Sequence, residues 1–249
     1  MLSPVTPVLS PLRKYLRAKP SMLLERERYL RALAEYPNWL VESATAERLL
    51  EWQGEITNAG QLGQLAAFTD FAAVEAAGLR PDQVVEVPGQ QLIPAMHRRY
   101  THFEINPGSG EDDSALFRAE GLKQLRQWGT AVRLEQALAA SPDLPIKLLR
   151  RFEFYLLATN MRKAPLMQSV QGFRGNVCFI FTAPDRWRAF LGKLSPLQQN
   201  DKTTETQDGV QLFYRLSTLP GLDGLLINAG SPKAVLIPRR AFDRVVVNQ

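Results

Sequence analysis

The sequence predicts an α+β fold of two similar modules, residues 1–129 and 130–249, each a small mixed or largely antiparallel sheet flanked by helices. Three observations predict it. Short apolar runs of strand length alternate with amphipathic runs of helical period along the whole chain. A strand-exit turn occurs twice, at FEINPGSG (103–110) and at LLINAGSP (225–232): Ile-Asn, one residue, then Gly-Ser. Upstream of each, an apolar run ends in Phe-Thr, at AAFTD (66–70) and IFTAPD (180–185).

The elements of the first module follow in order. An N-terminal arm, 1–12, carries three prolines, and the stretch RKYLRAK (13–19) is basic. SMLLERERYLRALAEY (21–36) sets Leu23, Leu24, Leu30 and Leu33 between charges, the pattern of a helix with one buried face. NWLVES (38–43) and QLAAFTD (64–70) are strand-like, and FAAVEAAG (71–78) is an Ala-rich helix. VVEVPG (84–89) and FEINPGSG follow as strands, and ALFRAEGLKQL (115–125) closes the module.

The second module opens on VRLEQALAAS (132–141), stopped by Pro142, and on a second helical piece, IKLLRRFEF (146–154). FYLLATN (154–160) and VCFIFTAPD (177–185) are strands, DRWRAFLGKL (185–194) is a helix, and QLFYRLS (211–217) stands in the place of VVEVPG. LLINAGSP and AVLIPRRAFDRVV (234–246) complete the order, the latter a terminal helix or strand. The threonines of the two Phe-Thr pairs are 113 residues apart and the asparagines 122. The polar stretch 195–209 absorbs most of that difference and reads as an exposed loop.

Composition bounds the class. With 45% apolar and 22% charged residues the chain can bury a core, and no run approaches the roughly 18 apolar residues of a membrane span. The N-terminus runs from weakly apolar to basic, the reverse of a secretory signal, so a cytoplasmic protein without membrane insertion is expected. Charge divides unevenly: residues 1–129 hold 14 Lys and Arg against 16 Asp and Glu, and residues 130–249 hold 16 against 9. Most aromatics fall in runs expected to be buried, which argues against a stacking nucleic-acid binder.

The sequence offers no recognisable catalytic, cofactor-binding or metal set. The one cysteine, Cys178, lies in the apolar run VCFIF and reads as a buried, inert thiol. His97 and His102 lie in a connecting region around MHRRYTH, with no further ligands for a structural zinc and no GxSxG elbow for a hydrolase. FEINPGSG has no Lys to complete a phosphate loop, and the acids that follow it, Glu111, Asp112 and Asp113, would repel a phosphate. Those acids read as a solvated turn and not as a cation site. Asn106, Gly108 and Ser109, with Asn228, Gly230 and Ser231, are the residues a tight strand exit requires, the Asn bonding backbone nearby and the Gly permitting positive φ.

At this point the motifs resemble a family. LEQALAASPDLPIKLLRRFEFYLLAT (134–159), IFTAPDRWRAFLG (180–192) and GLDGLLINAGSPKAVLIPR (221–239) are similar in order to the N-terminal domain of the SseB (enhanced serine sensitivity) family. The first half resembles it through AAFTD and FEINPGSG, which would make the chain a tandem duplication of that domain. One departure is Ala229, where the resemblance calls for Pro. The resemblance implies a bacterial cytosolic protein, in some members associated with secretion or toxin systems, and implies no catalytic residue.

These readings converge on a non-catalytic protein-interaction protein, with no cofactor, serving as an immunity or accessory protein of a toxin or secretion system. Its partner is expected to be a toxin or a secretion component. The expected partner-binding residues are Asn106, Ser109, Asp112, Asn228, Ser231, Arg239 and Arg240. The alternative is a small-molecule-binding regulatory protein using the inter-module cleft, with Arg239, Arg240 and Arg244 turned to an anionic ligand.

Overall fold

The computed structural model describes residues 16, 23–51, 62–96, 100–140 and 145–247. The N-terminal arm, the basic stretch 13–19 apart from Leu16, Pro142 and His97 lie outside them. The fold is α+β, and the chain divides into two compact units, Met1–Val132 and Arg133–Gln249.

Unit 1 runs α1 (Leu23–Glu35), β1 (Trp39–Glu42), α2 (Ser43–Glu51), β2 (Leu62–Ala67), α3 (Phe71–Ala76), β3 (Val84–Val87), α4 (Gly89–Ala95), β4 (Tyr100–Ile105) and β5 (Ala115–Phe117). Helix α5 (Ala119–Ala140) follows, and the unit boundary falls within it. Strand β4 pairs parallel with β2 and antiparallel with β5, while β1 pairs antiparallel with β3. Two backbone bonds between Leu40 and Phe68, 2.9 and 2.8 Å, continue β2 onto β1. The strand order is therefore β5-β4-β2-β1-β3.

Unit 2 continues with α6 (Ile146–Arg151), β6 (Tyr155–Asn160), β7 (Met167–Ser169), β8 (Asn176–Phe181), α7 (Pro184–Leu191), α8 (Pro196–Gln199) and β9 (Lys202–Gln207). It ends with α9 (Gly209–Ser217), β10 (Leu222–Ile227), β11 (Val235–Pro238) and α10 (Arg239–Val247). Its strand order is β11-β10-β8-β6-β9, with β7 added beside β8. The pair orientations along that path are antiparallel, parallel, antiparallel and antiparallel, the same as in unit 1.

Small details repeat as well. The Trp39 indole N–H donates to the Leu33 carbonyl and the Tyr155 hydroxyl to the Leu149 carbonyl, each six residues upstream. Gly89 N–H donates to Tyr36 O at 2.9 Å, and Gly209 N–H to Phe152 O at 2.7 Å. Each glycine opens a helix pressed onto backbone, where no side chain fits.

Strand alternation builds the core of unit 2 on both sheet faces. Val177, Phe179 and Phe181 face Phe190 of α7, with Trp187 and Phe173 at the margin. Cys178 and Ile180 alternate with them and are buried on the opposite face, where the Tyr155, Phe213 and Phe242 rings link β6 to α9 and α10.

Four sequence expectations are corrected. The stretch 195–209 is not an exposed loop: it holds α8 and the edge strand β9. KTTETQ lacks apolar alternation because an edge strand with partly exposed side chains does not need it, and its β-branched threonines suit the pleat. QLFYRLS is helix, not a strand: Leu212, Phe213 and Leu216 form its buried stripe, and Asp208 caps it by accepting from Gln211 N–H at 2.9 Å. ALF (115–117) is a strand that precedes the helix, so both Asn-Gly-Ser turns lead into an antiparallel strand. Helices α2 and α4, unforeseen in the sequence, complete unit 1. His102 sits in β4 and not in a connection. Among the described residues no helix is long and apolar enough to cross a membrane.

Candidate functional site

In open α/β sheets, ligand chemistry gathers at the carboxyl ends of parallel strands. Each unit has one such place, at β2/β4 and at β8/β10, and each holds a Thr–Asn pair. Asn106 and Asn228 adopt left-handed backbone, φ 52 and 54, as do Gly108 and Gly230, φ 81 and 79. The Asn106 carbonyl accepts from Ser109 N–H and the Asn228 carbonyl from Ser231 N–H, both at 3.1 Å.

The sequence reading gave the Asn side chains a local backbone role in the turn. They do more: each amide crosses to the neighbouring strand. Asn106 Oδ1 accepts from Thr69 N–H at 2.8 Å and its Nδ2 donates to Thr69 Oγ1 at 3.0 Å. Asn228 makes the same two bonds to Thr182, at 2.9 and 3.0 Å. The pair fastens the ends of two parallel strands just past the end of their ladder, which stops one residue before each Asn and two before each Thr, and both amides are fully buried.

The threonine hydroxyl has one proton to donate, and each unit brings it a carboxylate from a different place. In unit 1 it lies 3.0 Å from Asp70 Oδ2, while the other oxygen of Asp70 caps α3 by accepting from Ala73 N–H at 3.0 Å. In unit 2 the corresponding residue is Ala183, and Glu135 of α5 takes the role. Thr182 Oγ1 donates to Glu135 Oε1 at 2.7 Å, and the Arg186 guanidinium grips both Glu135 oxygens, Nε to Oε1 at 3.0 Å and Nη2 to Oε2 at 2.5 Å. The Glu135 side chain is 1% exposed and that of Arg186 16%. Such a bidentate, charge-assisted pair fixes geometry, and its carboxylate oxygens are already occupied by hydrogen-bond donors. This arrangement holds the sheet ends together.

The residues expected to bind a partner divide into two groups. Asn106, Asn228 and Arg239 make their hydrogen bonds inside the fold. Burial and the threonine bonds occupy the amides, and the Arg239 guanidinium donates to the carbonyls of Leu219, Leu222 and Ser217, closing the C-terminal end of α9. Asp112 and Arg240 are exposed, and Ser109 and Ser231 half-buried, with Ser231 Oγ accepting from Lys233 N–H at 2.9 Å. The acidic turn Gly110, Glu111, Asp112 and Asp113 borders a surface hollow of about 540 Å³. Among the described residues no group of three or more His, Cys, Asp or Glu is placed to hold a metal ion. Cys178 is fully buried, and burial pushes its thiol up to about 12, opposed in part by the charge of Arg215.

Sequence reasoning missed a further feature, the β6–β7 hairpin tip. Asn160 Oδ1 accepts from Arg162 N–H and Ala164 N–H at 2.9 and 3.1 Å. Lys163 is held at φ 60, and Arg215 reaches across from α9 to donate to the Lys163 carbonyl at 3.2 Å. The same guanidinium donates to Glu205 at 2.8 Å, a bond that holds the Glu205 carboxyl below its ordinary range. At this tip Met161 is 74% exposed, between Asn160 and the cations Arg162 and Lys163. An Asn closing an apolar run before Met-Arg-Lys-Ala-Pro was the available sequence signal. No family model, curated protein or solved structure matches this chain.

Proposed function

We propose that this chain is a non-catalytic protein-interaction protein that engages its partner through the β6–β7 hairpin tip of unit 2. The observation that carries the reading is the backbone of Lys163. A non-glycine residue in the left-handed region costs about 1–3 kcal/mol and persists where surrounding structure over-determines it. Here the Asn160 side chain and the Arg215 guanidinium do so, and the residues thereby presented are an exposed Met and two cations. A flexible, polarisable Met side chain suits a binding surface, because it adapts to the contour it meets. Within this proposal, the resemblance to the SseB family supports a cytoplasmic bacterial protein whose partner is a toxin or a secretion component.

The test is a photo-crosslinking amino acid placed at position 161 in the native host, compared with the same group at Leu197, which is 85% exposed on α8. A discrete adduct of one protein at 161, absent at 197, is expected. The same diffuse labelling at both positions, or none at 161, overturns the reading.

A further inference from the structure

The outer face of three helices in unit 2 carries cations that form no ion pair among the described residues. Helices α6, α9 and α10 all contact one another on the sheet face that buries Cys178 and Ile180. Leu149 is buried in α6, which turns Lys147 and Arg151 outwards, four residues apart and both exposed. Phe242 and Val245 are buried in α10, and Arg240 and Arg244 are exposed with the same spacing. On α9 the buried stripe of Leu212, Phe213 and Leu216 leaves Val210 and Tyr214 outside, 52% and 64% exposed. Three packed helices with inward apolar stripes present their outward stripes as one adjoining surface.

Three other arginines of the unit are occupied: Arg186 by Glu135, Arg215 by Glu205 and Arg239 by backbone carbonyls. Lys147, Arg151, Arg240 and Arg244 are paired with no carboxylate among the described residues. Unit 2 also holds the chain's excess of positive charge, 16 Lys and Arg against 9 Asp and Glu over residues 130–249. Two pairs of unpaired cations flanking an exposed Tyr and Val form a surface of mixed character. Interfaces between proteins favour this composition: Tyr and Arg are enriched, and charges steer the encounter.

We infer that this face docks an acidic, amphipathic segment of a protein partner, its carboxylates on the four cations and an apolar side chain against Tyr214 and Val210. One feature favours protein over nucleic acid: Val210 offers an exposed aliphatic surface, whereas binding of single strands rests on aromatic platforms. The inference rests on the protein-interaction reading and names the chemistry of the partner.

The test uses the full chain and three fluorescent probes: a synthetic peptide of Glu and Asp interspersed with Leu and Phe, an oligothymidylate, and vesicles containing phosphatidylserine. Binding is measured at about 50 mM and about 500 mM salt, where screening should weaken it. The peptide is expected to bind, and K147E/R151E/R240E/R244E to weaken it by about tenfold or more. Tyr214→Ser, which keeps every charge, is expected to weaken it about threefold or more. Circular dichroism confirms that both variants fold. Absence of peptide binding, equal binding by the charge-reversed variant, or tighter binding of the oligonucleotide or the vesicles overturns the inference. A discrete adduct at position 161 alongside any of those results removes this face alone and leaves the protein-interaction reading standing; loss of both removes both.

Discussion

Removing the Glu135 carboxylate should cost unit 2 a large part of its stability. In Glu135→Ala the Arg186 guanidinium, whose side chain is 16% exposed, loses its bidentate partner, and the Thr182 hydroxyl loses an acceptor at 2.7 Å. Stranding one member of a buried ion pair costs about 3–5 kcal/mol, most of it the penalty of an uncompensated buried charge. Glu135→Gln keeps the shape and an acceptor oxygen but removes the charge, so its cost is set by weakened charge-assisted bonds, about 1.5–3 kcal/mol. The double variant Glu135→Leu with Arg186→Met removes both charges together and should recover most of the loss, since buried pairs often exchange for apolar residues at little cost.

Urea unfolding followed by far-ultraviolet circular dichroism reads these differences, with two transitions fitted if the units unfold separately. A loss of a few kcal/mol corresponds to a Tm fall on the order of 10 °C for a unit of this size. The ranking Glu135→Ala worse than Glu135→Gln worse than the double variant is the essential result. A cost for Glu135→Ala under about 1 kcal/mol, the worth of an exposed pair, refutes the reasoning. So does a double variant no better than the single one.

Two further outcomes follow from the same structure. Cys178 should be inert to a thiol reagent in the native chain and react with one equivalent only on unfolding, and burial also ties it to alkaline stability. Its folded value is raised from 9.0 to about 12, so its contribution is fully present below 9.0 and is lost as pH rises through about 12. Cys178→Ala should flatten that part of the stability profile, and a variant with an unchanged profile argues against the burial. At the two helix-opening glycines, a Cβ on Gly89 would sit 2.7 Å from the Tyr36 carbonyl oxygen, and one on Gly209 would collide with the Leu149 carbonyl oxygen. Gly89→Ala and Gly209→Ala should each destabilise by about 1–3 kcal/mol, the cost of overpacking. Gly192→Ala, with its nearest atom at 3.4 Å and ordinary helical backbone, should be neutral or stabilising by up to about 1 kcal/mol in thermal unfolding.

Local pattern was enough for the mixed α+β class and for the elements with strong periodicity. Leu30 and Leu33 mark the buried face of α1, and VCFIF marks β8 with its buried thiol, because burial imposes a period that neighbouring residues in sequence display. The two Asn-Gly-Ser turns were legible for a related reason: a left-handed backbone narrows the choice of residue at the turn itself. Strand β9 was not legible, since an edge strand of partly exposed side chains imposes no apolar period, and α9 was misread because seven residues of QLFYRLS fit either period. The site depended wholly on tertiary structure. Glu135 meets Thr182, Arg186 and Asn228 across 47, 51 and 93 residues, and only the parallel pairing of β8 with β10 brings those partners together. In unit 1 the same need is met by Asp70, the next residue along, so the sequence held the threonine and the asparagine twice while the sheet decided which carboxylate completes them.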